Sequence, residues 1–250
     1  MRTLVSFLFL QLFISTVISH AEPITLAADE WCPYNCDPSS AEPGYMIEIV
    51  KEVFKGKGHE IQYSIMPWAR AIEESRAGRQ TGIIGAFKSD APDFIFPDRD
   101  FGDSGSIFYV KKGSTWNYSD IASLEKVSIA VIQDYSYNDD VDPYIAKHKD
   151  DSGRVQIGTG DNALEKNVNK LLSGRVSAVL EDSHVMDHFL KKSALVNQVS
   201  RAGGINPEKV YIAFSPVNSR SKEYAHMLSE GINALEKSGK LKEILAKYGL

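Results

Sequence analysis

The sequence predicts an α/β fold built from two similar lobes. Residues 77–84 and residues 173–180 carry this prediction, because both place Gly-Arg between a helical pattern and an apolar run. A helix that ends at Gly and leads into a buried strand is half of a β-α-β unit. The alternative is that Gly-Arg is only a common helix C-cap. Ligands of open α/β sheets lie beyond the carboxyl ends of the strands, so residues 85–88 and 181–184 are the first candidates for a binding cleft.

The first residues of the chain have the composition of a secretory signal. Arg2 is followed by an apolar stretch over residues 4–18, and Ser19-His20-Ala21 ends the segment with small residues at the two cleavage-defining positions. This pattern is typical of a signal peptide of residues 1–21, so we expect an exported, soluble protein. A membrane anchor is disfavoured, because the stretch is short and polar residues interrupt it.

The chain carries a mild excess of acidic residues, with a formal net charge of −5. This charge argues against nucleic acid and against anionic membrane surfaces as partners. The two cysteines, Cys32 and Cys36, lie in one short loop, and export favours a disulfide between them. A redox-active pair or a metal site is disfavoured, because the spacing is not Cys-x-x-Cys and no His lies nearby in the sequence.

Strands and helices alternate through the first part of the chain. Apolar runs predict strands over residues 24–28, 60–66 and 81–87. Apolar residues spaced at i, i+3, i+4 and i+7 predict amphipathic helices over residues 44–54 and 67–77. The resulting β-α-β-α-β order implies a mainly parallel sheet with right-handed crossovers.

The alternation continues after an irregular segment rich in Asp, Pro and Gly. The expected strands are residues 107–111, 126–132, 154–157, the second Gly-Arg strand and residues 210–214. The expected helices begin near residue 137 and cover residues 163–172 and 184–191, and two apolar helical stripes follow in the C-terminal segment.

Five motifs, in order along the chain, resemble one protein family. They are Asp29-Glu30-Trp31-Cys32-Pro33-Tyr34, Gly44-Tyr45-Met46-Ile47-Glu48, Gly78-Arg79, Gly174-Arg175-Val176 and the terminal helix from Leu235 to Gly249. The ordered set resembles the family 3 extracellular solute-binding proteins, the periplasmic receptors of polar amino-acid ABC transporters. The resemblance covers essentially the whole chain after the signal peptide. It implies a two-lobed periplasmic-binding-protein fold of type II, with two crossover strands and a cleft between the lobes.

The resemblance also implies the boundaries of the two lobes and the binding partners of the protein. Residues 22–102 and 216–250 would form the first lobe, and residues 103–215 the second. The hinge would lie near residues 98–104 and 215–217. The implied partners are a small polar ligand and the membrane permease of an ABC transporter. We expect a periplasmic monomer that needs no cofactor and no metal.

The ligand contacts of the family carry over to several residues. Tyr34, or Trp31 beside it, would lie against the ligand, although core packing accounts equally well for Trp31. Asp182 would accept hydrogen bonds from a ligand ammonium, and Glu181 is the alternate if the register differs by one residue.

The cation that holds a ligand carboxylate in this family is missing. Members usually carry Thr-x-x-Arg after the first-lobe strand, whereas residues 88–93 contain no Arg. Lys88 and Arg70 are the candidate replacements, but Lys88 lacks the bidentate geometry and a solvated helix face accounts for Arg70. Gln133 and Ser136 lie in the loop where the family binds ligand oxygens at a helix N-terminus. An α-amino acid is therefore the default ligand.

These observations lead to one expected function and two alternatives. We expect a binding protein, with no catalytic residues, that captures a small polar solute, an amino acid or a related compound, between closing lobes. One alternative is a dehydratase-like enzyme on the same fold, in which Glu181, Asp182 and His184 supply acid–base chemistry. The other is a soluble receptor that presents its ligand to a membrane sensor. The sequence shows no nucleophile–base pairing, zinc spacing or nucleotide-binding loop.

Overall fold

Strands and helices alternate along the residues that the computed structural model describes, 22–160 and 162–250. The predicted signal peptide lies outside these residues. The strands are β1 (Ile24–Ala28), β2 (Ile61–Ile65), β3 (Gly82–Ala86), β4 (Asp103–Ser104), β5 (Ser106–Lys111), β6 (Ile129–Ile132), β7 (Val155–Gly158), β8 (Ala178–Asp182), β9 (Val199–Gly204), β10 (Glu208–Lys209) and β11 (Tyr211–Phe214). The helices are α1 (Tyr45–Lys55), α2 (Trp68–Arg76), α3 (Val141–His148), α4 (Ala163–Leu172), α5 (Ser183–Lys192), α6 (Ser221–Ser238) and α7 (Lys240–Lys247), and a 3-10 helix covers Ile121–Lys126. None of the described helices combines the length and apolarity that a membrane span requires.

Two open sheets form the cores of two lobes. The first lobe contains a four-stranded sheet in the order β11-β3-β1-β2, in which β1 is parallel to both neighbours and β11 is antiparallel to β3. The second contains a five-stranded sheet in the order β7-β6-β8-β5-β9, with β6 parallel to β7 and β8. Between the sheets, β4 and β10 pair antiparallel and carry the chain from one lobe to the other. The predicted two-lobed fold with two crossover strands is confirmed.

The return to the first lobe differs in position from the boundary placed at residue 215. Strand β11 pairs with β3, so the chain has re-entered the first sheet by Tyr211. The C-terminal helix α6 then packs on α1. The contact is so close that a Cβ on Gly231 would lie 2.2 Å from a methyl carbon of Val53. Close packing of this kind requires a residue without a side chain.

Three strands and one helix start were not predicted correctly, each for a local reason. Strands β4 and β10 are two-residue polar ladders, and β9 is an edge strand in which only Val199 and Ala202 are buried, so none forms an apolar run. The helix expected near residue 137 begins at Val141. The side chain of Asn138 accepts hydrogen bonds from the backbone N–H groups of Asp140 and Val141, at 3.1 and 2.7 Å, and this turn delays the helix.

Candidate ligand-binding site

A cavity of about 150 Å³ lies where the two lobes meet. Asp29 and Trp31, which follow β1, line it from the first lobe. Tyr135, which follows β6, and Glu181 on β8 line it from the second lobe. These residues lie at the carboxyl ends of parallel strands, where α/β sheets bind their ligands. Of residues 181–184, which were expected to border the cleft, Glu181 lines this cavity.

A smaller cavity of about 20 Å³ adjoins the first. Asp29, Trp31 and Tyr135 line both cavities, and Asp90 and Trp68 are among the other residues that line the smaller one. A volume of this size accommodates about one group as large as a water molecule. These three shared residues place the smaller cavity, the narrow end of the site, directly beside the larger one.

Trp31 belongs both to the core and to the cavity. Its ring is 6% exposed, stacks on Tyr34 with 4.0 Å between ring centroids, and also lines the cavity. Its Nε1 donates a hydrogen bond across the cleft to Oε1 of Glu181, at 3.1 Å. Gly85, with φ of +85°, lets the ring approach β3, because a Cβ there would lie 3.2 Å from the indole. Both interpretations of Trp31 are thus compatible with its position.

Hydrogen bonds from the protein itself occupy both carboxylate oxygens of Asp182. Its Oδ1 accepts from the backbone N–H groups of His184 and Val185, at 2.8 and 3.0 Å, and caps helix α5. Its Oδ2 accepts from the Tyr34 hydroxyl at 3.1 Å, from Ser104 Oγ at 2.7 Å and from the Gly105 N–H at 3.1 Å. These five donors occupy both oxygens of a carboxyl that is 2% exposed. The contacts tie the first lobe, the crossover and α5 together, and they also turn the Tyr34 hydroxyl away from a ligand role.

Glu181, the alternate acid, is the carboxyl that faces the cavity. Its Oε1 accepts hydrogen bonds from Trp31 and from the backbone N–H of Asp182, the latter at 2.9 Å. Its Oε2 has no hydrogen-bond partner among residues 22–160 and 162–250. The residue is 1% exposed, and this burial raises the pKa of the carboxyl to about 8.

Two further carboxyls at the site were not predicted. Asp29 accepts a hydrogen bond from the Tyr135 hydroxyl of the other lobe, and burial raises its pKa to about 6. Asp90 accepts from the backbone N–H groups of Phe87 and Ser136, at 2.7 and 2.9 Å, and burial raises its pKa to about 7. Both follow strands of the first sheet, and both lie in segments that the sequence analysis quoted. The position after the strand was a usable signal, but the search there was for a cation.

The two candidate cations lie away from both cavities. The Arg70 side chain is 66% exposed, and its Nε lies 3.8 Å from Glu74 Oε1 on the same helix. Lys88 is exposed, with Nζ 5.1 Å from the centroid of the Tyr211 ring. The solvated helix face is thus the position that the structure gives Arg70.

Gln133 and Ser136 line a separate groove of about 540 Å³ between the lobes. Gln133 is exposed, and its side chain donates to Asp134 at 3.3 Å. The backbone N–H of Ser136 donates a hydrogen bond to Asp90, and the Ser136 hydroxyl donates to Asp142 at 2.6 Å. Gln133 lines neither of the cavities that hold the three carboxyls, whereas Ser136 also lines the smaller one.

The disulfide between Cys32 and Cys36 is present, as predicted. The loop that it closes carries Trp31 at its start, and the loop is fixed to helix α1. The backbone N–H groups of Tyr45 and Met46 donate to the carbonyl oxygens of Pro33 and Tyr34, both at 3.0 Å. These bonds hold the loop, and with it the indole, in one position.

A family model described as "Bacterial extracellular solute-binding proteins, family 3" matches residues 24–250. The chain belongs to this family. The recognition made from the ordered motifs is therefore confirmed. No curated protein matches this solute-binding protein significantly in sequence.

Solved structures of several binding proteins resemble this solute-binding protein. An ancestral arginine-binding protein bound to arginine is 20% identical, with a TM-score of 0.72 over 92% of this chain and 99% of the other. The arginine-, lysine-, histidine-binding protein ArtJ of Geobacillus stearothermophilus is 16% identical, with a TM-score of 0.69 over 91% and 95%. A histidine kinase sensor domain similar to periplasmic binding proteins is 15% identical, with a TM-score of 0.73 over 92% and 96%. At these identities the likeness shows the fold.

Proposed function

We propose that this protein binds a small polar solute, an amino acid or a related compound, and delivers it to the permease of an ABC transporter. The observation that carries this proposal is the cavity between the lobes, which is lined by Glu181, a residue whose buried Oε2 has no hydrogen-bond partner among the described residues. Family membership and the arginine-binding proteins of similar fold support it. We place the mature protein in the periplasm, as a monomer.

The proposed binding follows from which groups a ligand would meet. An ammonium group entering the cavity would donate to Glu181 Oε2, a charge-assisted hydrogen bond. The Trp31 indole would cover the adjoining part of the ligand, and a rigid ring loses little conformational entropy on binding. Hydrogen bonds from Trp31 to Glu181 and from Tyr135 to Asp29 cross the cleft, so closing the lobes completes the site.

Closure of the cleft would require the two crossover strands to bend. The two crossovers pair through Ser104 with Glu208 and through Asp103 with Lys209, and Val210 adds two backbone hydrogen bonds, to Phe101 and Gly102. A two-residue ladder leaves few backbone hydrogen bonds to resist bending, and hinges of this type absorb the rotation of whole lobes. We propose that this ladder is the hinge.

The experiment is a binding screen with the mature protein. Amino acids, opines and small amines are added, and thermal unfolding and tryptophan fluorescence are recorded, together with mass spectrometry of solute carried through purification. At least one compound should raise the melting temperature and change the emission of Trp31, and the Trp31→Phe variant should lose the emission change. A ligand recovered chemically unchanged after long incubation supports binding without catalysis. No response to any compound would refute the proposal.

One observation favours a second function. A histidine kinase sensor domain has the same fold over almost the whole chain. The protein would then present its closed, ligand-bound form to a membrane sensor rather than to a permease. Pull-down of membrane proteins with and without ligand distinguishes the two functions, because the captured protein would be a permease in one case and a sensor kinase in the other.

A further inference from the structure

The space formed by the two adjoining cavities is lined by three acids. Asp29, Asp90 and Glu181 reach it from the ends of three different strands, and Asp29 lines both of its parts. Each pKa is raised mainly by burial. Removing a carboxylate from water is costly unless an opposite charge or hydrogen bonds compensate. The site as built therefore favours a positive charge.

Glu181 shows directly that the site lacks a hydrogen-bond donor. The carboxyl is buried, one of its oxygens accepts two hydrogen bonds, and the other has no partner in the described part of the chain. Buried polar atoms in folded proteins are almost always paired. A donor supplied by a ligand is the simplest way to satisfy this oxygen.

The positive groups near the cavity are either exposed or already paired. Lys192 lies at the mouth, with a side chain that is 70% exposed and 3.8 Å from Glu30. His188 also lines the cavity, but burial lowers its pKa and so favours the neutral ring. In the adjoining groove, Arg76 is held by both oxygens of Asp93, at 2.8 and 3.0 Å. Within residues 22–160 and 162–250, no arginine lines the cavities to hold a ligand carboxylate.

Aromatic rings form the remaining walls of the narrow end. Trp31 meets Phe87 edge to face with 6.4 Å between centroids, and Trp68 meets Tyr135 in the same way at 6.3 Å. Aromatic faces attract cations and exclude water. The narrow end, bordered by Asp29 and Asp90, has room for one group about the size of an ammonium.

We propose that the ligand is an organic amine cation without a carboxylate, a diamine or an amine with a guanidinium group. One cationic end would lie in the narrow cavity near Asp29 and Asp90, and the other would bind Glu181 Oε2. The apolar chain between them would cross the space that Trp31 and Tyr135 share. This inference rests on the proposed binding function and narrows its ligand class from amino acids to amines.

Matched pairs of compounds test the inference. Binding is measured by calorimetry at about pH 8 for arginine and agmatine, lysine and cadaverine, and ornithine and putrescine, which differ by the carboxylate alone. The protein is first freed of co-purified solute by unfolding and refolding. In at least one pair, the amine should bind at least ~100-fold more tightly than the amino acid, because the carboxylate would meet like charge with no partner.

The outcomes separate this inference from the proposed function. Equal or tighter binding of the amino acid in every pair overturns the amine assignment and leaves solute binding intact. Binding of neither member of any pair overturns both for these compound classes.

Two variants identify the residues. Glu181→Gln and Asp90→Asn should each weaken amine binding at least ~30-fold, because each removes a charge that the ligand pairs with. Glu52→Gln, on an exposed face of α1, is the matched control and should bind normally. Unchanged affinity in both folded variants would overturn the inference, and an unfolded Glu181 variant leaves Asp90→Asn as the deciding test.

Discussion

Amine binding to this protein should strengthen steeply as the pH rises from about 5.5 to about 8.5. The pKa of Glu181 is raised to about 8, that of Asp90 to about 7 and that of Asp29 to about 6. In the unliganded protein, Glu181 therefore holds its proton at neutral pH, Asp90 is partly protonated there, and Asp29 holds its proton only below about pH 6. An alkyl ammonium keeps its own charge throughout this range. Binding the cation consequently requires the carboxyls to release protons.

The size of the effect follows from the number of protons released. One released proton changes the dissociation constant by about tenfold per pH unit. Near pH 7.5 Glu181 dominates, and below about pH 7 Asp90 joins it, so the slope should approach about a hundredfold per unit. The charged neighbours of Glu181 are Asp182 and Asp29, with Lys192 on α5 across the same cavity. The two acids oppose ionisation of Glu181, and Lys192 is too exposed to offset them.

The stability of the unliganded protein should change in the opposite direction. Glu181 has a pKa of 4.5 in its unperturbed state and about 8 in the folded protein. Between these values the folded state holds a proton that the unfolded state has lost. The stabilisation is therefore complete below about pH 4.5 and is lost as the pH rises through about 8. The shift corresponds to a free energy on the order of 5 kcal/mol.

Calorimetry in buffers of different ionisation enthalpy measures the released protons directly, and urea unfolding at the same pH values measures stability. Glu181→Gln should flatten the pH dependence of affinity above about pH 7, because only Asp90 and Asp29 then titrate. At pH 8.5 the same variant should be more stable than the unchanged protein while binding amines more weakly. A dissociation constant that is flat across the range, or proton uptake on binding, would refute the reasoning.

Three further predictions follow from the contacts of single residues. Asp182→Ala should lower the free energy of unfolding by about 2 to 4 kcal/mol in urea denaturation, because it removes the cap of α5 and leaves buried donors unpaired; a loss below about 1 kcal/mol would contradict the structural role of this residue. Gly85→Ala should cost about 1 to 3 kcal/mol, since φ is +85° and the new methyl group presses on Trp31, and calorimetry should show weaker binding as well. Arg70→Ala and Lys88→Ala should each change ligand affinity by less than about threefold by calorimetry, because surface charges away from the cavity contribute little. A large loss of affinity in either variant would show that the substituted residue contributes to ligand binding.

The sequence was sufficient for the fold because its signals are local. The Gly-Arg segments mark helix ends followed by buried strands, and helix α4 was predicted with the bounds that it has. Strand β9 and the short ladder of β4 with β10 escaped detection, since their stability comes from neighbours that are distant in sequence. Elements of this kind carry no periodic apolar pattern for sequence analysis to find.

The candidate site was predictable in position but not in detail. Glu181 and Asp182 are adjacent on β8, and neighbouring strand residues point to opposite faces. Only the packing decides which of the two faces the ligand, and the capping of α5 by Asp182 is a tertiary fact. The search for a cation after β3 passed over Asp90, because an acid there makes sense only once Asp29 and Asp90 are known to line one cavity and Glu181 the cavity beside it.

The three carboxyls also suggest why closure would depend on the ligand. Asp29 belongs to the first lobe and Glu181 to the second, and each raises the cost of ionising the other. When both are ionised at high pH, their repulsion acts across the cleft and opposes the hydrogen bonds from Trp31 and Tyr135 that hold it together. A cation bound between them reverses the sign of that interaction, because each lobe is then attracted to the same charge. A solute without net positive charge would not attract both lobes in this way. The proposed selectivity for an amine and the closure of the lobes would therefore have the same cause, the attraction of the acids on both lobes to one cation.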